Sequence, residues 1–412
     1  MNLTAKNWIL VVGARPNFMK IAPLIRAIDK YNNASLSPLV TIHYLLVHTG
    51  QHYDASMSDA FFRDLRLPEP DLHLGVGSGN HGEQTGKVLI EFEKVLLKEQ
   101  PDLVIVVGDV NSTLACALAA VKLQIRVAHV EAGLRSFDRR MPEEINRLLT
   151  DAVSDYLFTP SPEGDENLSK EGIPSEKVFL VGDIMVDSLL YHLDQAKKTN
   201  ILARLGLSNA LTSCLQIRSA DDGLQSGVLP YALMTLHRPA NVDDKPALER
   251  IMRGLLEVSA DFPILFPVHP RTAKQIKAFG MESSFQFHSS ADIKPQDYFE
   301  GKALKRRIHC FEPMGYLDFL NLMVHAKVVL TDSGGIQEET TVLNIPCITL
   351  RDTTERPITL TEGTNVLVHN DPEKIVAEVK KVRDGQRRQS QCPSLWDGHT
   401  AERVVAILVK HG

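Results

Sequence analysis

Leu103-Val104-Ile105-Val106-Val107-Gly108-Asp109-Val110-Asn111-Ser112-Thr113-Leu114-Ala115-Cys116-Ala117-Leu118-Ala119-Ala120 is the stretch that decides the fold. Its five consecutive apolar residues predict a strand buried on both faces, because a strand with one wet face alternates apolar and polar positions. Glycine and a polar cluster end the run. The alanine-rich segment that follows has helical spacing, and its small side chains let a helix pack close to a sheet. A second apolar run at 127–130 completes a strand–helix–strand unit, the arrangement that places parallel strands under crossover helices. Working outward, 8–12 and 42–47 read as further buried strands ending in Gly13-Ala14-Arg15 and His48-Thr49-Gly50, and 18–31, 84–98 and 112–122 carry helical spacing. The pattern starts again after Ser175, where 178–181, 231–236, 264–268, 328–330 and 347–350 read as strands of a second sheet. Residues 212–228 read as a polar surface loop, 280–307 as an insertion without clear period, and 401–410 as a helix. The expected fold class is α/β, two Rossmann-like doubly wound domains facing a cleft lined by the carboxyl ends of their strands.

Composition agrees with that class. A chain of 412 residues is too long for one ordinary core and fits two domains. With 43% hydrophobic and 23% charged residues it is an ordinary globular sequence, neither disordered nor fibrous. Its 45 basic and 51 acidic side chains leave a net charge of −6, which argues against a nucleic-acid partner. The cysteines Cys116, Cys214, Cys310, Cys347 and Cys392 have no paired spacing and suggest a reducing, cytoplasmic setting. No export signal and no uncharged run long enough to cross a bilayer is present, so no membrane association is expected.

Three motif resemblances fail on inspection. Gly75-x-Gly77-x-Gly79 follows no apolar strand and has the wrong spacing for a dinucleotide turn. Gly86-Lys87 is followed by Val88 where a phosphate-binding loop needs Ser or Thr. His129-x-Glu131 with Pro346-Cys347 lacks the second cysteine of a zinc deaminase, Leu350 standing in its place. Neither a metal nor a cofactor is expected.

The chemistry-bearing residues lie at the ends of the expected strands. Asp109 follows 103–107 and Glu131 follows 127–130, where burial and neighbouring charges can tune a carboxyl for acid–base work. The structural alternatives are that Asp109 caps the helix starting near Asn111 and that Glu131 pairs with Arg135. Pro142-Glu143-Glu144 places two acids in a first helical turn, which can also be plain dipole complements. Asp332-Ser333-Gly334-Gly335-Ile336-Gln337-Glu338-Glu339 is a strand feeding a helix through two glycines. Its amides suit a phosphate, and Glu339 stands where a carboxylate can accept from ribose hydroxyls; the alternative is a tight turn with a serine cap. Arg15, Lys20 and Arg356 are cations for an anionic ligand or solvated surface charges. His237 ends the 231–236 run and is either structural or aimed at a phosphate.

Taken together, these residues resemble the non-hydrolysing UDP-N-acetylglucosamine 2-epimerase family. The resemblance rests on Gly13-Ala14-Arg15-Pro16-Asn17-Phe18-Met19-Lys20, Gly108-Asp109, His129-Val130-Glu131-Ala132-Gly133-Leu134-Arg135, Pro142-Glu143-Glu144-Ile145-Asn146-Arg147, Leu236-His237-Arg238, Pro267-Val268-His269-Pro270, the Asp332–Glu339 octet and Arg351-Asp352-Thr353-Thr354-Glu355-Arg356-Pro357, in order along nearly the whole chain. It implies a glycosyltransferase-B-like fold with an N-terminal domain over 1–183, a C-terminal domain over 184–393 and a closing segment, 394–412, whose helix returns to the first domain. It also implies a homodimer that interconverts UDP-GlcNAc and UDP-ManNAc through elimination and re-addition of UDP. By motif, Asp109, Glu131, Glu143 and His237 would be catalytic. Arg15, Lys20, Arg147, Phe319, Ser333, Gly334, Gly335, Glu339 and Arg356 would bind the UDP-sugar, with Phe319 on the uracil side. Gln51 and His52 match a second, allosteric nucleotide-sugar site. Alternatives are an epimerase of a modified UDP-GlcNAc-type sugar, a glycosyltransferase or hydrolysing epimerase of the same fold, and an inactive UDP-sugar-binding regulator.

Overall fold

Seven parallel strands organise the first half of the chain: β1 (Thr4–Val12), β2 (Val40–His48), β3 (Leu72–His73), β4 (Leu103–Val107), β5 (Arg126–Val130), β6 (Tyr156–Thr159) and β7 (Val178–Leu180). They lie in the order β3-β2-β1-β4-β5-β6-β7. The computed structural model describes residues 4–34, 40–51, 67–208, 228–288 and 307–411. Two compact units result, Met1–Tyr191 with Pro393–Gly412, and His192–Cys392. Every residue of β4 is buried, as the unbroken apolar run requires.

Among the helices of this unit are α1 (Arg15–Asn33), α2 (His81–Glu99), α3 (Asn111–Lys122) and α4 (Pro142–Val153). Ala115, Cys116, Ala117, Ala119 and Ala120 are all buried in α3, so this thin helix is covered on nearly every side. The helix Thr400–His411 buries Ala401, Val404, Val405 and Leu408 in the same unit. Its start is held by Asp187, which accepts from Thr400 N at 3.1 Å and Ala401 N at 2.8 Å, where the positive end of a helix favours a carboxylate. Trp396 is 3% exposed and donates to Pro160 O at 2.9 Å, anchoring the segment that leads into that helix.

The second unit repeats the design with β8 (Ala232–Thr235), β9 (Ile264–Pro267), β10 (Phe285–Phe287), β11 (Ile308–Phe311), β12 (Val328–Thr331), β13 (Cys347–Thr349) and β14 (Asn365–Leu367). Their order is β10-β11-β9-β8-β12-β13-β14, again parallel throughout. In each sheet the first strand has its neighbours added first on one side and then on the other. The strand order therefore reverses beside β1 and β4 in one unit and beside β8 and β12 in the other. Loops leaving such a pair diverge and open a crevice at the carboxyl ends, which is where open α/β sheets bind ligands. Among the described residues no helix is long and apolar enough to cross a membrane.

Two expectations change. The run at 178–181 does not open the second sheet; β7 pairs with β6 and edges the first. A short apolar run carries no mark of which sheet it joins, and β6, only four residues long, supplies the missing neighbour. The stretch 280–307 is not wholly an insertion either, since β10 lies within it as an edge strand, while 289–306 and most of 212–228 fall outside the described residues.

Candidate functional site

In the first unit the polar residues meet where β1, β4 and β5 end. Gly108 has φ +66° and turns the chain so that Asp109 follows β4 with its side chain about one-third exposed. Asp109 does not cap α3, whose N-cap is Val110. Its Oδ2 instead accepts from Arg147 Nη1 at 2.5 Å, and its carbonyl accepts from Asn146 Nδ2 at 2.9 Å. Arg147 is 3% exposed and also donates to Glu144 at 2.6 Å, so α4 grips the Asp109 turn through consecutive residues. Glu144 is more than a dipole complement. It also accepts from Ser136 N and Phe137 N, at 2.9 Å each, and so folds the 136–141 loop onto α4. Burial alone would push its carboxyl up, but the Ser136 amide, Arg147 and the Phe137 amide outweigh that and hold it below the usual range. Glu143, one residue away in the first turn of α4, is half-buried.

Glu131 pairs with Lys20 of α1, not with Arg135. Its backbone lies at φ +75°, a region that a residue with a Cβ seldom occupies. The strained conformation is held by β6, since Phe158 O accepts from both Glu131 N and Ala132 N, at 3.1 and 3.0 Å. Lys20 Nζ also lies against Gly108; a Cβ there would sit 2.7 Å from it. Asn17 of α1 ties the group together, donating to Val107 O at 2.9 Å while its Oδ1 accepts from Ala14 N at 2.9 Å. Arg15 is the first residue of α1, and its side chain lies outside what the structure describes.

Beneath these turns lies a buried charged cluster that motif reading had left unassigned. His129 Nδ1 faces Asp151 Oδ1 at 2.6 Å and Nε2 faces Gly108 O at 2.8 Å. Asp151 Oδ2 accepts from Gly133 N at 3.1 Å and meets Arg135 at 2.7 Å, and Arg135 in turn holds Glu171. Burial would raise the Asp151 carboxyl, but His129 and Arg135 override it and keep it low. The cluster locks the Gly108 carbonyl to α4 and to the strand that carries Glu131.

Gln51 is buried and reaches the same helix start: its Oε1 accepts from Ser112 N at 3.1 Å and Ser112 Oγ at 2.7 Å. Burial, then neighbouring His73, pulls His48 down to about 4, and its Nδ1 accepts from Gly50 N at 2.9 Å to shape the turn before Gln51. His52 lies outside the described residues.

In the second unit two helices carry the site, α5 (Tyr316–His325) and α6 (Gly334–Val342). Ser333 occupies the N-cap position of α6, but its side chain makes no capping bond, leaving its hydroxyl and the Gly334 and Gly335 amides at an unblocked helix start. Arg356 bonds Glu338 of α6 and lies on Gly334, where a Cβ would be 2.5 Å from its Nη1. Only glycine admits the guanidinium at that place. His237, after β8, faces Asp332, after β12, with Nδ1 3.1 Å from Oδ1. Asp332 is fully buried and also accepts from His237 N, Arg238 N and Asn241 Nδ2, at 3.0, 2.8 and 3.1 Å. Burial would raise its carboxyl; the His237 side chain and the two amides outweigh that and hold it below the usual range.

Glu339, one turn into α6, is 3% exposed and accepts from Tyr316 of α5 at 3.1 Å, while its Oε2 has no partner. Burial pushes it up to about 8, with Glu338 adding to the rise and the Tyr316 hydroxyl opposing it. Phe319, one turn beyond Tyr316 on α5, is half-buried. A carboxyl raised on folding is stable in its protonated form, so the benefit is complete below the ordinary value near 4.5 and is lost as pH climbs through about 8. The ligand-free protein is therefore expected to lose stability across that window, and Glu339→Gln to flatten the loss. Thermal midpoints of both proteins between pH 5 and roughly 9 check this; parallel curves would contradict it.

Sequence reading had not singled out Asp332, Glu338, Tyr316, Asp151 or Asn146 as site residues, although several lie inside motifs it quoted. Among the described residues no group of three or more His, Cys, Asp or Glu is placed to hold a metal ion. Comparison with known proteins completes the picture. A family described as UDP-N-acetylglucosamine 2-epimerase matches residues 36–409. The chain is 44% identical over 401 residues to the UDP-N-acetylglucosamine 2-epimerase of Methanocaldococcus jannaschii, covering 97% of this chain and 98% of that one. It is 38% identical over 405 residues to the UDP-2,3-diacetamido-2,3-dideoxy-D-glucuronate 2-epimerase of Pseudomonas aeruginosa, covering 98% and 99%. A crystal structure of the M. jannaschii UDP-GlcNAc 2-epimerase with UDP-GlcNAc and UDP resembles it with a TM-score of 0.80 at 43% identity, covering 98% of this chain and 99% of that one.

Proposed function

This chain belongs to the UDP-N-acetylglucosamine 2-epimerase family, and we propose that it interconverts UDP-GlcNAc and UDP-ManNAc by eliminating and re-adding UDP, without hydrolysing the sugar. The observation that carries the reading is the contrast between the units: one holds the carboxylates of Asp109 and Glu131 at its strand ends, and the other presents an unblocked helix start flanked by Arg356 and His237. The first suits proton transfer and the second a diphosphate.

The C2 hydrogen of the sugar is not next to a carbonyl, so abstracting it alone would leave an unstabilised carbanion. Loss of the proton to a base while the C1–O bond breaks solves this. The C–H electron pair becomes the C1=C2 double bond of a 2-acetamidoglucal, and the C1–O pair leaves on UDP. Returning a proton to C2 from the opposite face, with the diphosphate oxygen re-adding at C1, gives the epimer with no net redox change. Asp109, Glu131 and Glu143 are the acid–base groups. Arg147 and Lys20 act on the first two by ion pairing, which fixes the position of their carboxylates. Ser333, Gly334, Gly335, Arg356 and His237 take the diphosphate, Glu339 the ribose and Phe319 the base.

Incubating UDP-GlcNAc with the enzyme in heavy water tests the mechanism by proton NMR. Deuterium is expected at C2 of both epimers, with no free sugar. Epimer formed with its original C2 hydrogen, or release of free ManNAc, would overturn the proposal. Running UDP-2,3-diacetamido-2,3-dideoxyglucuronate in parallel decides whether the natural sugar is the plain or the modified one, the latter being the substrate named for the P. aeruginosa relative.

A further inference from the structure

We propose that Asp332 is a positioning residue for the departing diphosphate: it fixes the His237 ring through Nδ1, so that Nε2–H is the atom left to donate to the phosphate, and it balances the charge that ring carries. The inference rests on the role given to His237 above and extends it to a residue that the motifs had left as the lead-in to Ser333.

Geometry supplies the argument. Asp332 follows β12 and His237 follows β8, the two strands beside which the order of this sheet reverses. The carboxylate bridges their divergent loops, taking His237 Nδ1 at 3.1 Å and the amides of His237 and Arg238. With Asn241 at 3.1 Å it is encircled by donors and shut away from water, while the His237 side chain is 40% exposed. A buried carboxylate accepts and never donates, so the Nδ1 hydrogen is committed to it. A neutral ring with Nδ1–H would turn a lone pair on Nε2 toward the ligand, and a phosphate oxygen, itself an acceptor, would repel it. Only the imidazolium satisfies both sides, with Nδ1–H on Asp332 and Nε2–H on the phosphate. The proton stays on the ring throughout; charge stabilisation is the whole effect. The other ring nearby is His269, its centroid 6.2 Å from that of His237, with Nδ1 occupied by Arg271 N.

The pairing acts on charge that develops as the C1–O bond breaks. It should therefore matter more for UDP, which has the additional negative charge, than for the intact UDP-sugar. In Asp332→Asn the side-chain oxygen still accepts an amide, but its NH2 now faces Nδ1 and the ring loses its counter-charge. Turnover is expected to fall about 10²-fold, as when one preorganised donor to developing charge is removed. UDP should inhibit at least about tenfold more weakly, while KM for UDP-GlcNAc stays near that of the wild type. Asn241→Ala, which removes a donor but not the charge, serves as the structural control and should show no such split. Equal weakening of UDP and UDP-GlcNAc in Asp332→Asn would mean a purely structural role and would overturn the proposal, as would unchanged turnover.

His237→Gln separates this proposal from the reading beneath it. If that variant turns over normally, the assignment of His237 has failed. If it is slow and Asp332→Asn is not, only the Asp332 proposal has failed. The double variant should be no slower than His237→Gln alone, because the carboxylate acts through the ring. Should Asp332→Asn not fold, ¹⁵N NMR of the wild-type UDP complex gives the same answer, with His237 assigned by its loss in His237→Gln. Both ring nitrogens protonated supports the pairing, and an unprotonated Nδ1 refutes it.

Discussion

Replacing Asp109 by asparagine, or Glu131 by glutamine, is expected to lower kcat by about 10²- to 10⁴-fold, the range a positioned acid or base contributes, while UDP binding survives. The two exchanges are nearly isosteric and remove only the ability to carry a proton and a charge. In Asp109→Asn the Arg147 contact keeps a neutral acceptor, and Arg147 remains held by Glu144. In Glu131→Gln the buried Lys20 ammonium loses its ionic partner, so some instability accompanies the kinetic loss. Separating the two takes a thermal midpoint beside steady-state kinetics and a UDP titration. The residues assigned to UDP are chiefly Ser333, Gly334, Gly335, His237 and Arg356, far along the chain from either carboxylate. A loss of UDP affinity equal to the loss of kcat would show that the carboxylates act in nucleotide binding instead. Normal turnover in either variant removes that residue from the mechanism.

Gly108→Ala should cost nearly as much although it replaces no titratable group. Gly108 sits at φ +66°, where a Cβ is unfavourable by about 1–2 kcal/mol. The new methyl would also lie 2.7 Å from Lys20 Nζ. A lysine tip usually moves aside cheaply, but this one is committed to Glu131 and lies in a buried site. Either the ion pair breaks or the turn carrying Asp109 shifts. Both outcomes displace a carboxylate proposed for acid–base work, and misplacement by about 1 Å can cost 10²-fold in rate. The expected result is a folded protein, somewhat less stable, with kcat reduced about 10²-fold and UDP affinity retained. Wild-type kcat in Gly108→Ala would show that Lys20 and the turn are looser than the geometry implies.

Much of the architecture could be read directly. The apolar run 103–107 coincides with β4, and the alanine-rich segment after it is the buried helix α3. Fully buried parallel strands advertise themselves because both faces must be apolar. The three-residue strands β10 and β14 do not, because they are only partly buried and so few side chains carry no period. A run as short as 178–181 likewise carries no mark of which sheet it joins, and it edges the first. Within the site, the motifs named residues but not their partners. The structural alternative for Glu131 pairs it with Arg135, four positions along; it meets Lys20, more than a hundred positions away, and Arg135 is taken by Asp151 and Glu171. Pairings between loops of different strands depend on sheet order, which no local pattern encodes. Asp332 is hidden for a related reason, and Glu144 keeps two readings open: a buried carboxylate that organises backbone amides looks, in sequence, like any acid near a helix start.

The first unit is not continuous in the chain. Its β1, α1 and Asp187 lie before the second unit, yet the Trp396 anchor and the helix Thr400–His411 lie after it. During synthesis the ribosome delivers the whole second unit before the segment that closes the first. The nascent carboxylate-bearing unit therefore waits, with the apolar face destined for Val404, Val405 and Leu408 uncovered, until the helix Thr400–His411 has been made. Maturation of the carboxylate-bearing unit is thereby tied to prior synthesis of the whole second unit.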